Sequence, residues 1–190
     1  MLSTFPQCLA KKSEAVYHRA MLDIYKLGDE VLREECSDVT EFDDSLKMLA
    51  EAMIDTLEEA DGVGLAGPQV GVSKKIFVVH IRGNEPIVFV NPQITATSME
   101  TGVYEEGCLS IPGVYHDVIR PVRVSIQAQD LKGKVFNIDA DGPLARVIQH
   151  ENDHLYGKLY IDHLDERERD KVVHQYEKKN RIRRHQKSRV

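Results

Sequence analysis

The sequence is short of the features that would assign a chain to a membrane or to the outside of the cell. No apolar run approaches the roughly 20 residues needed to cross a bilayer as a helix, so no membrane partner is expected. The opening residues, MLSTFPQCLAKK, carry no basic stretch ahead of an apolar core, so no secretory signal is expected there. Cysteine is scarce: Cys8, Cys36 and Cys108 are odd in number and irregular in spacing. That argues against a disulfide framework and for a reducing compartment, the cytoplasm. Repeats and low-complexity linkers are also missing, so the 190 residues read as one domain, long enough to bury a substantial core.

What is present is the 42% hydrophobic and 29% charged composition of an ordinary globular protein, with its charge unevenly placed. Residues 171–190 hold eight Lys or Arg against one acid, Glu177, a balance of +7. Because the whole chain carries −6, the first 170 residues carry −13. An acidic body with a basic end gives that end a role of its own.

Residues 1–20 lack periodicity and read as an N-terminal extension, with Met21 as a candidate start of the domain. Phe42 to Ala60 is expected to be helical. Leu46, Leu49, Ala50, Met53, Ile54 and Leu57 form an i, i+3, i+4, i+7 stripe, and Gly62 is a stop signal. A glycine-rich loop, DGVGLAGPQVG, follows. Two strand candidates, Lys75–Ile81 and Ile87–Asn91, flank a Gly83-Asn84 turn, and a second pair, Val122–Gln129 and Lys134–Ile138, flanks Lys132-Gly133. Between the pairs, EEGCLSIPG is expected to end at Pro112 and Gly113. Helices are expected over Leu144–Tyr156 and from about Asp165 to Asn180. Hairpins with segregated helices predict an α+β fold with antiparallel sheets.

The stretch QHENDHLYG carries the chemistry. On a helix, His150 and His154 stand four apart on one face and can chelate one ion, with Glu151 beside them to act on a bound water. An exposed charged helix would produce the same pattern, and HExxH recurs by chance. The third ligand is open. One protease class continues HxxGxxH, which this chain follows to Gly157 before placing Tyr160 where the histidine would stand. A second class uses a downstream carboxylate, for which Glu166, Glu168 and Glu177 are available in a stretch rich in charge. Upstream, Cys108 is available, although a lone cysteine is more often a small buried hydrophobe.

Three segments, GVGLAGPQ (Gly62 to Gln69), EGCLS (Glu106 to Ser110) and QHENDHLYG, occur together and in order. In this the chain strongly resembles the peptide deformylase family of the bacterial type, over residues 21–170. The resemblance implies a catalytic domain of antiparallel sheets around a central HExxH helix, followed by a basic C-terminal helix or tail over 171–190. It implies Cys108, His150 and His154 as ligands of one divalent metal ion. Fe(II) is the expected ion in the cell, with Zn(II), Ni(II) or Co(II) accepted in preparations, a set that suits a thiolate and two imidazoles. It further implies that Glu151 deprotonates metal-bound water, which attacks the formyl group of a nascent formyl-methionyl polypeptide and releases formate. Gln69, the Leu109 backbone N–H and the metal are implied to stabilise the oxyanion. The Gly64 carbonyl is implied to accept from the substrate's first N–H.

Leu144 and Val147, before His150, are expected walls of a methionine pocket; the other reading is that both face the core. Without the resemblance, Gln69 and Gly64 read as ordinary turn residues. One departure from the family pattern is Gly67, where alanine is usual; losing the methyl is expected to loosen that loop slightly. The resemblance also implies that the basic end docks on the ribosome near the tunnel exit, through electrostatic attraction to RNA; no DNA partner is expected. Two rivals are a metallopeptidase using the same helix and a catalytically silent RNA-binding module. The presence of Gln69, Cys108 and Glu151 weighs against the silent module.

Overall fold

The computed structural model describes residues 21–187. The proposed extension over residues 1–20 therefore lies outside the described residues. The elements run α1 (Asp44–Glu59), β1 (Gly64–Ala66), β2 (Ile76–Val79), β3 (Ile87–Thr97), β4 (Thr101–Cys108), β5 (Ile111–Pro121), β6 (Arg123–Gln129), β7 (Val135–Asp141), α2 (Gly142–His154) and α3 (Glu166–Lys187), with short 3-10 turns between some of them. One antiparallel sheet has the order β1-β2-β3-β6-β7, and β4 with β5 forms a second, two-stranded sheet. This is the expected α+β arrangement.

Local sequence accounts for most of these elements. The Asp43 side chain caps α1 by accepting from the Leu46 N–H at 3.1 Å. The buried face of α1 includes Leu46, Ala50, Met53 and Leu57, the stripe read from sequence, packed on Leu65, Ile76 and Val78. The hydrophobic pattern of α2 places Ala145 and Ile148 against Phe77, Phe89, Val124 and Ile126 of the large sheet. Pro143 sits in the first turn of α2, where no intrahelical donor is lost.

Three expectations are corrected. First, Pro112 and Gly113 do not end a segment: both lie inside β5, which pairs with β4 from Thr101↔Pro121 to Cys108↔Ile111. Proline is tolerated there because the register jumps from Gly107↔Tyr115 to Cys108↔Ile111, which leaves Pro112 and Gly113 without cross-strand partners. Second, the glycine-rich loop contains β1, which pairs with β2 through Gly64↔Val79 and Ala66↔Phe77. Third, α3 runs past Asn180 to Lys187. Its Val172 and Tyr176 are buried with Ile111, Val114 and Val118, so the helix joins the domain core well beyond residue 170.

Gly67 does not loosen its loop. A Cβ there would lie 2.7 Å from the Val72 carbonyl oxygen and 2.8 Å from that of Lys74. Backbone oxygens cannot swing aside as side-chain tips do, so the space is closed to a methyl. Gly67→Ala is expected to destabilise the protein by about 1–3 kcal/mol, as overpacking does. A lowered denaturation midpoint at unchanged slope would register it; an unchanged midpoint would show that the loop gives.

Candidate metal centre

Two elements deliver the expected ligands. Cys108 is the last residue of β4, and His150 and His154 lie on the buried face of α2. The ligand atoms of these three residues all lie within 4.8 Å of one another, a grouping with no counterpart among the described residues. Cys108 Sγ stands 3.4 Å from His154 Nε2. Burial opposes ionisation of the thiol, but the His154 charge and hydrogen bonds from both imidazoles outweigh it and hold Cys108 well below the usual thiol range. The same surroundings favour the thiolate, the form that ligates metal.

His150 is oriented from behind. Its Nδ1 meets Glu106 Oε2 at 2.9 Å, so Nδ1 donates and Nε2 is left to face the cluster. Glu106 is itself gripped by the Arg120 fork, Nε to Oε1 at 2.7 Å and Nη2 to Oε2 at 3.0 Å. Burial pushes the Glu106 carboxyl up, yet His150 and Arg120 together hold it far below the ordinary carboxylate range. Arg120 also donates to Asp153 at 2.6 Å, and Asp153 meets His163 at 2.7 Å. Sequence reasoning left Asp153 without a ligand role; the structure gives it a partner in this buried network instead.

Tyr160, which stands where one protease class has its third histidine, is a core residue. Its hydroxyl donates to the Val114 carbonyl at 3.2 Å, and its ring stacks beside His150 at 6.2 Å between centroids. The downstream acids are not gathered into the cluster; Glu168 instead pairs with His116 and Lys171.

Glu151 is buried beside the ligands, and its Oε2 has no hydrogen-bond partner. Burial pushes its carboxyl up to about 7, against the pull of the His150 and His154 charges. Gly64 of β1 is packed directly on this side chain: a Cβ on Gly64 would lie 2.7 Å from Glu151 Cδ and 2.8 Å from Cγ. Gln69 stands in the 3-10 turn after β1. Its Oε1 accepts from the Ala66 N–H at 2.8 Å, which turns the amide nitrogen toward Cys108 Sγ at 3.4 Å and Ser110 Oγ at 3.2 Å. The Leu109 carbonyl accepts from Lys26 Nζ at 2.9 Å, which pins the peptide after the cysteine.

A cavity of about 540 Å³ opens onto the cluster and is lined by Gly64, Gln69, Leu109, Val147 and Glu151 among others. Its size is that of a small-ligand site. Leu144 is not on this wall; it packs against the core under the large sheet. Val147 packs against the same core and also reaches the cavity, consistent with its position roughly 60° from His150 around the helix against roughly 120° for Leu144.

The residues fit a metal ion on the chemistry of the donors. A buried thiolate and two imidazoles converge, one imidazole is fixed by a carboxylate, and a carboxylate oxygen without a partner stands beside them. The network of Glu106, Arg120, Arg146 and Asp153 was missed in sequence. Glu106 offered a faint signal two residues before Cys108, but Arg120 lies 14 residues from Glu106 and 33 from Asp153.

Comparison with known proteins identifies the family. The family model described as "Polypeptide deformylase" matches residues 21–170. A peptide deformylase of Treponema pallidum (strain Nichols) is 47% identical over 155 residues, covering 82% of this chain and 95% of that one. One from Prochlorococcus marinus (strain AS9601) is 45% identical over 148 residues, covering 76% of this chain and 74% of that one. The crystal structure of a peptide deformylase from Legionella pneumophila superposes with a TM-score of 0.83 at 42% identity, covering 86% of this chain and 98% of that one. The chain belongs to the polypeptide deformylase family.

Proposed function

We propose that this chain removes the formyl group from the N-terminal formyl-methionine of newly made polypeptides by hydrolysis, releasing formate. The observation that carries this is Glu151, a buried carboxylate with one oxygen free, set against Cys108, His150 and His154 at the base of the cavity. A divalent ion held by those three side chains, Fe(II) in the cell or Zn(II), Ni(II) or Co(II) in its place, would supply Lewis acidity to the attacking water and the formyl oxygen. Glu151 takes the proton from that water. It then returns it to the amine nitrogen as the C–N bond breaks, so the products are formate and a free N-terminus. The Gln69 amide and the Leu109 N–H donate to the oxygen on which charge develops. The Gly64 carbonyl accepts from the first substrate N–H, and Val147 contributes an apolar wall for the methionine side chain.

The protein is expected to release formate from a formyl-methionyl peptide while leaving internal peptide bonds intact. Internal cleavage without formate release would favour the metallopeptidase reading instead.

We also propose that the basic end of α3 docks the enzyme on ribosomal RNA near the tunnel exit, in the cytoplasm. Among the described residues no helix is long and apolar enough to cross a membrane. Because Val172 and Tyr176 belong to the core, the informative truncation falls after Arg181, where it removes Arg183, Arg184, Lys187 and Arg189. Ribosome co-sedimentation is expected to weaken and formate release from a short peptide to persist. Unchanged sedimentation would reject the docking role.

A further inference from the structure

Arg146 stands one helical turn before His150 on α2 and is largely enclosed. Its Nη1 donates to Glu106 Oε1 at 3.0 Å and to the Val118 carbonyl at 3.0 Å, and its Nη2 donates to the Gly102 carbonyl at 2.9 Å. The guanidinium lies over the Tyr104 ring, 5.1 Å from its centroid. One side chain thus ties α2 to both strands of the β4–β5 ribbon and to the carboxylate that orients His150.

We propose that Arg146 is a positioning residue for the ligand His150, acting through Glu106. Oε1 of Glu106 is shared between two guanidiniums, Arg120 at 2.7 Å and Arg146 at 3.0 Å, and this fixes the plane of the carboxylate. Oε2 is thereby aimed at His150 Nδ1. Arg120 grips both oxygens from β5, and Arg146 adds a second bond to Oε1 from α2, the helix that carries His150. Without Arg146, Glu106 keeps the Arg120 fork but loses the anchor on the α2 side, and its carboxylate can pivot away from the imidazole. Ligands whose outer partners are disturbed hold metal less tightly, by about 10–100-fold for a direct partner. Arg146 acts one bond further out, so about tenfold is expected.

The proposal rests on His150 being a ligand, and loss of zinc binding in His150→Ala tests that assignment separately. Zinc affinity of the full chain is measured by competition with a chelator for the parent, R146L, E106Q and the double variant, with the visible spectrum of the cobalt-loaded protein alongside. R146L is expected to weaken zinc about tenfold and to shift the cobalt spectrum. In the E106Q background the same change is expected to alter affinity by less than about threefold, because the route through Glu106 is already cut. A residue that merely braced the ribbon would lower Tm and leave zinc affinity and the cobalt spectrum at parental values, and that result would overturn the proposal. Additive effects of R146L and E106Q would overturn it as well. Should R146L not fold, R146K decides the matter. It keeps the charge but not the fork, and about threefold weaker zinc is expected; parental affinity in R146K would overturn the proposal.

Discussion

Glu151→Gln is expected to lower kcat/KM for a formyl-methionyl peptide by about 10²–10⁴-fold while the chain still binds one divalent ion. That range is the usual contribution of a positioned general base and acid. The variant separates two roles that Glu151 could otherwise confuse. Glutamine has the same shape, so it keeps the packing against Gly64, and it leaves Cys108, His150 and His154 untouched. What it lacks is a site that can take a proton. In the parent, burial pushes the carboxyl up to about 7, where a group can accept a proton from water and give it back to a departing amine at neutral pH. Formate release and metal content measured on one preparation check the prediction. Turnover within about fivefold of the parent, far inside that range, would remove Glu151 from the proton-transfer role.

Gly64→Ala is expected to lower kcat by about 100-fold with little effect on metal affinity. The backbone is not the obstacle, because Gly64 lies in an extended strand and its φ is not positive. The obstacle is the neighbour: the added carbon would lie 2.7 Å from Glu151 Cδ and 2.8 Å from Cγ, with Oε1 nearer still. Carbon atoms in ordinary contact stand about 3.5–4.0 Å apart, so the carboxylate must retreat by roughly 1 Å. A misplacement of that size in reacting groups costs about 10²-fold in rate. Steady-state kinetics distinguish this from the role implied by family resemblance, in which Gly64 serves substrate through its carbonyl. Loss of that contact alone would raise KM and leave kcat in place. An unchanged kcat would show that Glu151 is not held by this packing.

Much of this architecture is legible in the order of the residues, and the illegible parts share a cause. The stripe of α1, the hairpin turns at Gly83-Asn84 and Lys132-Gly133, and the HExxH face of α2 are local patterns, and each appears where its period puts it. The β4–β5 ribbon is obscured because Pro112 and Gly113 are local breakers, whereas the cross-strand pairing skips them and resumes on both sides. Cys108 is one of several third-ligand options in the sequence, with a small buried hydrophobe the commoner reading, and only the fold brings it to a histidine 46 residues away. Glu106, Arg120, Arg146 and Asp153 carry no mutual spacing rule, since they meet through three different elements. Gly64 reads as a turn residue and Gly67 as a slight loosening of its loop. Their requirement comes from atoms packed on them, two backbone oxygens at Gly67 and the Glu151 side chain at Gly64.

The most direct test of the central assignment is a titration of the metal-stripped chain with Co(II) or Zn(II), following formate release from a formyl-methionyl peptide. Activity is expected to rise from a negligible level and to break at one ion per chain, with no such rise in Cys108→Ala. Full activity in the stripped protein, or an undiminished titration in Cys108→Ala, would contradict a reaction centred on Cys108, His150 and His154.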